Sequence, residues 1–152
     1  VEYGAGRGRA VILAAMLPFR RVLGVELDPD LVAGCEENVA RAQWRFRCPE
    51  VEVIHANAVD FDLPNDASVL HFFHPFYGEP LEAVSRKIAE SMRLNPRALR
   101  VLFANPFDFE RIVGKTNIFP KPWLKSQTCH RWPLYQTDGI GNLYRDYRFD
   151  SR

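Results

Sequence analysis

Three glycines at alternate positions, Gly4, Gly6 and Gly8, stand between the strand-like start Val1-Glu2-Tyr3 and the helix-forming run Arg9 to Ala15. No other feature constrains the fold as much. Backbone in such a turn can take positive φ and lie against a ligand where a Cβ would collide. A helix starting from it presents unpaired N–H groups that suit a carboxylate or a phosphate. Strand, glycine turn and helix together are the entry corner of an open α/β sheet. The spacing is not that of the dinucleotide fingerprint G-x-G-x-x-G, because the sixth place holds Arg9 when counted from Gly4 and Val11 when counted from Gly6.

The rest of the chain alternates strands and helices. The first helix is expected to reach about Leu17, since Pro18 disfavours helix at the residue before it. Arg21 to Val25 is a short apolar run of the buried parallel type, closing at Glu26-Leu27-Asp28-Pro29. Glu26 follows the glycine turn by about twenty residues, the place where nucleotide-binding α/β folds put a carboxylate on ribose hydroxyls. Its two acceptor oxygens suit both hydroxyls of one ribose. Asp28 before Pro29 reads as the cap of the next helix, which is expected over Pro29 to about Phe46 with Leu31, Val32, Cys35, Val39 and Ala42 inward. Trp44 and Phe46 near its end are expected to pack in the core.

Val51 to Ile54 alternates as a third strand and leads into His55-Ala56-Asn57-Ala58-Val59-Asp60. His55 reads as a structural histidine at a strand end. Ser68 to Phe73 is a fourth strand, and His74-Pro75-Phe76-Tyr77-Gly78 is the loop at its carboxyl end, from which open α/β sheets present chemistry. Glu79 to Met92 is an amphipathic helix with Leu81, Val84, Ile88 and Met92 on one face, broken at Asn95-Pro96, and Arg100 to Ala104 is a fifth strand. Beyond Phe107 the pattern gives a short helical piece near Phe109 to Val113. A hairpin of 130–136 with 142–149 is expected around Asp138-Gly139-Ile140-Gly141.

Composition narrows the function classes. At 152 residues and 47% hydrophobic the chain holds one α/β core, read as a single domain over 1–152 that begins inside its first strand, with an amino-terminal part lost. A net charge of +1 disfavours a dedicated nucleic-acid module, although Arg41, Arg45 and Arg47 cluster. Cys35, Cys48 and Cys129 show no metal or disulfide spacing, so no metal is expected and a reducing, cytoplasmic setting fits. No apolar run is long enough to span a bilayer. Oligomeric state is not legible.

An acidic residue followed by G-x-G-x-G, here Glu2-Tyr3-Gly4-Ala5-Gly6-Arg7-Gly8, resembles motif I of the class I S-adenosyl-L-methionine (AdoMet) methyltransferases. His74-Pro75-Phe76, Ser91, Asn95-Pro96-Arg97 and Asn105-Pro106 resemble a group of small bacterial members whose motif IV reads Asn-Pro-Phe. The resemblance covers residues 1–106. It implies an α/β, Rossmann-like methyltransferase sheet, mostly parallel, with helices on both faces and a C-terminal antiparallel hairpin. It also implies AdoMet held by Glu2, Gly4, Gly6 and Gly8, by Glu26 at the ribose, and by Asn57 with Ala58 at the adenine. Asp60 and an Asx turn at Asn57 remain open alternatives there. His74 stands where the family has Asn or Asp, either as a general base or as a polar residue at the mouth. Pro75 and Phe76 would wall the acceptor and Tyr77 would offer a hydrogen-bonding tip. The expected reaction is in-line SN2 methyl transfer to an unidentified acceptor. The rival readings are an NAD-dependent oxidoreductase and a non-catalytic AdoMet-fold binding module.

Overall fold

The computed structural model of the chain describes residues 1–104, 111, 124–129 and 144–149, the last two segments by their backbone. It divides into two compact units, Val1–Phe61 and Asp62–Arg152.

In the first unit β1 (Glu2–Tyr3) leads through the glycine turn to α1 (Arg9–Ala15), β2 (Arg21–Glu26), α2 (Pro29–Ala42), a 3-10 turn (Gln43–Arg45) and β3 (Glu50–His55). β2 is central. It pairs in parallel with β1, Glu2 opposite Gly24, and with β3, Arg21 opposite Glu50 through Glu26 opposite His55. Flanked on both edges, it buries Val22, Leu23, Gly24 and Val25 without alternation, as an interior parallel strand must. Val11, Ala15, Cys35 and Cys48 form a core with Val22, and Phe46, Val39 and Val51 pack against it. Gly24 permits this closeness: a Cβ there would stand 2.7 Å from Val11 Cγ2.

Both helices end earlier than their patterns suggest. α1 stops at Ala15 because the Ala15 carbonyl accepts from the amides of Arg47 and Cys48, at 2.9 and 3.0 Å, in place of a continuing turn. α2 gives way at Ala42 to the tighter 3-10 turn. That turn rotates Trp44 away from the protein. Phe46 packs as expected, but Trp44 is 84% exposed, so the core role expected for it is wrong.

The second unit contains β4 (Val69–Phe73), α3 (Gly78–Leu94), β5 (Leu99–Ala104), β6 (Leu124–Cys129) and β7 (Tyr144–Phe149). β4 and β5 run parallel, and β7 lies antiparallel between β5 and β6. The expected antiparallel pair is therefore present, with one strand as foreseen and the other displaced. Residues 124–129, not 130–136, partner β7; the latter, like the helical piece expected over 109–113, fall outside the described residues apart from Arg111, which is helical. α3 buries Leu81, Val84, Ile88 and Met92 as its spacing predicts. The turn after it is closed by Arg97, whose guanidinium donates to the carbonyls of Ala67, Ser91 and Asn95 and to Ser91 Oγ. No helix among the described residues is long and apolar enough to cross a membrane.

Candidate functional site

In the first unit the ends of β1, β2 and β3 bring the expected residues to one edge. Gly4, Gly6 and Gly8 have φ of 72°, 54° and 86°, the left-handed region that L side chains avoid. The turn is pinned underneath, with the Gly4 and Ala5 amides donating to Val25 O and the Gly8 amide to Ala5 O. Gly6 and Gly8 have different surroundings. A Cβ on Gly8 would lie 2.6 Å from Cys35 Sγ, so Gly8 is pressed against α2, whereas a Cβ on Gly6 would meet nothing within 4 Å. The crown of the turn is thus the part open to close approach. From α2, Asn38 Nδ2 donates to Arg7 O at 3.0 Å and steadies that crown, a contribution the sequence pattern does not signal.

Glu26 reaches back across the turn. Its Oε2 accepts from the Gly6 amide at 2.8 Å, and its Oε1 from the amides of Leu27 and Asp28 at 2.8 and 3.0 Å. Three of the carboxylate's roughly four lone-pair sites are therefore filled by backbone. Asp28 does what its place before Pro29 suggests, its Oδ1 accepting from Asp30 and Leu31 at the start of α2. Leu27, between the two acids, is 62% exposed, an apolar side chain beside the carboxylate that the sequence reading passed over. Its carbonyl lies 3.0 Å from His55 Nε2, so His55 is engaged structurally.

Asn57 forms the Asx turn. Its Oδ1 accepts from Val59 N at 3.1 Å and its carbonyl from Asp60 and Phe61, leaving the Nδ2 donors uncommitted among the described residues. Ala58 beside it is half-buried and Asp60 is exposed. Glu2 lies within β1 and is buried. Burial pushes the neighbouring Tyr3 hydroxyl far above its ordinary range, and the Cys35 thiol up to about 11, with Glu36, Glu26 and Glu2 adding to the rise.

In the second unit the loop between β4 and α3 is strained at one position. His74 has a φ of 50°, the one non-glycine residue with positive φ among those described, and Gly78 follows at 61°. Such a conformation in a non-glycine residue costs on the order of 1–3 kcal/mol and is held only where its surroundings dictate it. The constraint is visible. Phe76 packs edge-on against Phe72 at 6.2 Å, and Phe72 stacks on Phe103 at 4.9 Å, which ties the loop to the buried ends of β4 and β5. His74 is exposed, Pro75 and Phe76 are half-buried, and Tyr77, at the start of α3, is 69% exposed. Among the described residues no group of three His, Cys, Asp or Glu side chains could hold a metal ion.

No protein-family model and no curated protein matches the sequence. Solved structures do. An RNA methyltransferase from Salinibacter ruber, crystallised with S-adenosyl-L-homocysteine, superposes with a TM-score of 0.64 at 22% identity, over 99% of this chain and 80% of that one. The magnesium protoporphyrin IX methyltransferase of Synechocystis with bound SAM gives 0.63 at 15% identity, over 99% of this chain and 68% of that one. A putative rRNA methylase from Clostridium thermocellum gives 0.63 at 14% identity, over 98% and 86%. The chain has the Rossmann-like, mostly parallel fold of the AdoMet-dependent methyltransferases.

Proposed function

We propose that the chain binds AdoMet and catalyses methyl transfer to an acceptor received at the loop after β4. The observation that carries this reading is the 2.8 Å bond between Glu26 and the Gly6 amide, which joins the carboxylate to the open crown of the glycine turn and supports a nucleoside-binding role for it. The residues present fit such a cofactor. Gly6 leaves room above its Cα, Glu26 keeps an unfilled lone pair on Oε2, Leu27 offers an apolar surface to a purine, and Asn57 keeps two donors. When bound, AdoMet supplies a methyl group on a positively charged sulfur, so the protein's work is orientation and exclusion of water.

Each residue then has a bounded task. Gly4 and Gly6 receive the amino-acid end, and Gly8 shapes the turn. Glu26 takes one ribose hydroxyl on the unfilled lone pair of Oε2, which still holds Gly6, and a second on Oε1 in exchange for an exposed Leu27 or Asp28 amide. Ala58 and Asn57 border the adenine, the latter by donating from Nδ2, and Glu2 acts from within the strand as a buried carboxyl group. Pro75 and Phe76 wall the acceptor, Tyr77 offers its hydroxyl, and His74 accepts a proton from the acceptor as it becomes nucleophilic. Calorimetric titration of the chain with S-adenosyl-L-homocysteine tests the cofactor half, with micromolar binding expected. Release of labelled methyl from AdoMet onto a panel of amines, hydroxyls, thiols and RNA tests the other half; binding without transfer to any of them would sink the catalytic claim.

A further inference from the structure

The 3-10 turn after α2 carries an interaction surface that methyl transfer does not require. Trp44 is 84% exposed there, and the guanidinium of Arg45 lies 5.7 Å from the centroid of its ring. Gln43, Arg41 and Arg47, close to it in the chain, are exposed polar or charged residues as well. The platform is nonetheless fixed, because Phe46 is packed against the core and the Arg47 and Cys48 amides are bonded to Ala15 O.

The charge around the indole is one-sided. Glu37 is held by Arg41 at 2.5 Å, and Glu50 by Arg21 at 3.6 Å. Arg45 and Arg47 have no carboxylate partner among the described residues. The net charge of +1 for the whole chain conceals this local excess. An exposed indole with a guanidinium on one face and a second cation nearby matches an unstacked base with its flanking phosphates. A protein partner would need an apolar surround to exclude water from the indole, whereas the residues that flank Trp44 in the chain, Gln43 and Arg45, are polar and charged.

We infer that the Gln43–Arg47 surface docks single-stranded nucleic acid, with a base stacked on Trp44 and backbone phosphates on Arg45 and Arg47. This goes beyond the methyl-transfer reading and stands or falls apart from it, since docking needs no cofactor. Labelled twelve-nucleotide rU and dT strands, a duplex of the same length, and phosphatidylserine-containing vesicles are the probes, titrated against the full chain at several salt concentrations. Saturable binding of either single strand is expected, with log affinity falling against log salt by about 0.7 per phosphate contact. Trp44→Ala should weaken it about 5- to 150-fold, as loss of one stacked base does, and Trp44→Phe should restore most of it. Arg45→Glu with Arg47→Glu should abolish the salt-dependent part. Thermal melting monitors folding; Trp44 is so exposed that its removal should leave the melt unchanged. Absence of strand binding, strand binding indifferent to these substitutions, equal affinity for the duplex, or binding to vesicles alone would each overturn the inference.

Discussion

Removing the Glu26 carboxylate separates a structural role from a ligand role, because its acceptors serve three amides of different exposure. In Glu26→Ala the Gly6 amide, half-buried, loses its acceptor, and an unsatisfied donor of that kind costs about 1–3 kcal/mol. The Leu27 and Asp28 amides are exposed, so water replaces the lost bonds at little cost. The folded state should therefore lose about 1–2 kcal/mol, lowering the melting temperature by about 3–8 °C in a chain of this size. Cofactor affinity should fall further. Two hydroxyl contacts to a carboxylate, each about 1.5–3 kcal/mol, are partly offset by the amide bonds they replace. The net of about 2–3 kcal/mol corresponds to about a 30- to 150-fold weaker Kd. Glu26→Gln should do little better, since its single carbonyl oxygen can face Gly6 or the Leu27 and Asp28 pair but not both. Titration calorimetry with S-adenosyl-L-homocysteine, alongside thermal melts of each variant, makes the comparison. A lowered melt with Kd changed less than twofold would refute the reasoning and leave Glu26 as a brace for the turn.

Gly8→Ala should destabilise by about 2 kcal/mol or more, from overpacking against Cys35 and from its φ of 86°, and adding Cys35→Ala should recover part of the loss in a denaturant titration. His74→Gly should raise stability by up to about 1 kcal/mol through relief of its φ while lowering turnover, measured by melting and methyl release in parallel. The Cys35 thiol, pushed from 9.0 to about 11, stays protonated after the unfolded chain has ionised. Stability should thus decline as pH rises from about 9 towards 11, and Cys35→Ser should flatten that decline in urea melts.

What could be read from the residues alone followed from local rules. The unbroken apolar run of β2, the Asp28-Pro29 cap and the inward face of α3 each depend on a few neighbouring positions, and each appears as expected. Glu26 could be matched to the glycine turn by distance along the chain, but that its lone pairs are mostly taken by amides could not. Trp44 was misplaced because its orientation depends on where α2 tightens, which Phe46 and the distant Ala15 carbonyl settle. The partner of β7 was misjudged for a similar reason: glycines mark a turn, but pairing is chosen by strands far apart in sequence.

The torsion at position 74 has a consequence for which side chains the loop after β4 can carry. Beyond glycine, asparagine, aspartate and histidine are the residues that enter left-handed backbone most readily. His74 belongs to that short repertoire, so the backbone at this position screens the side chains it can carry before any function selects among them. Chains that share this backbone should draw on the same few residues at the position, and a bulky aliphatic there would signal that the loop itself has been rebuilt.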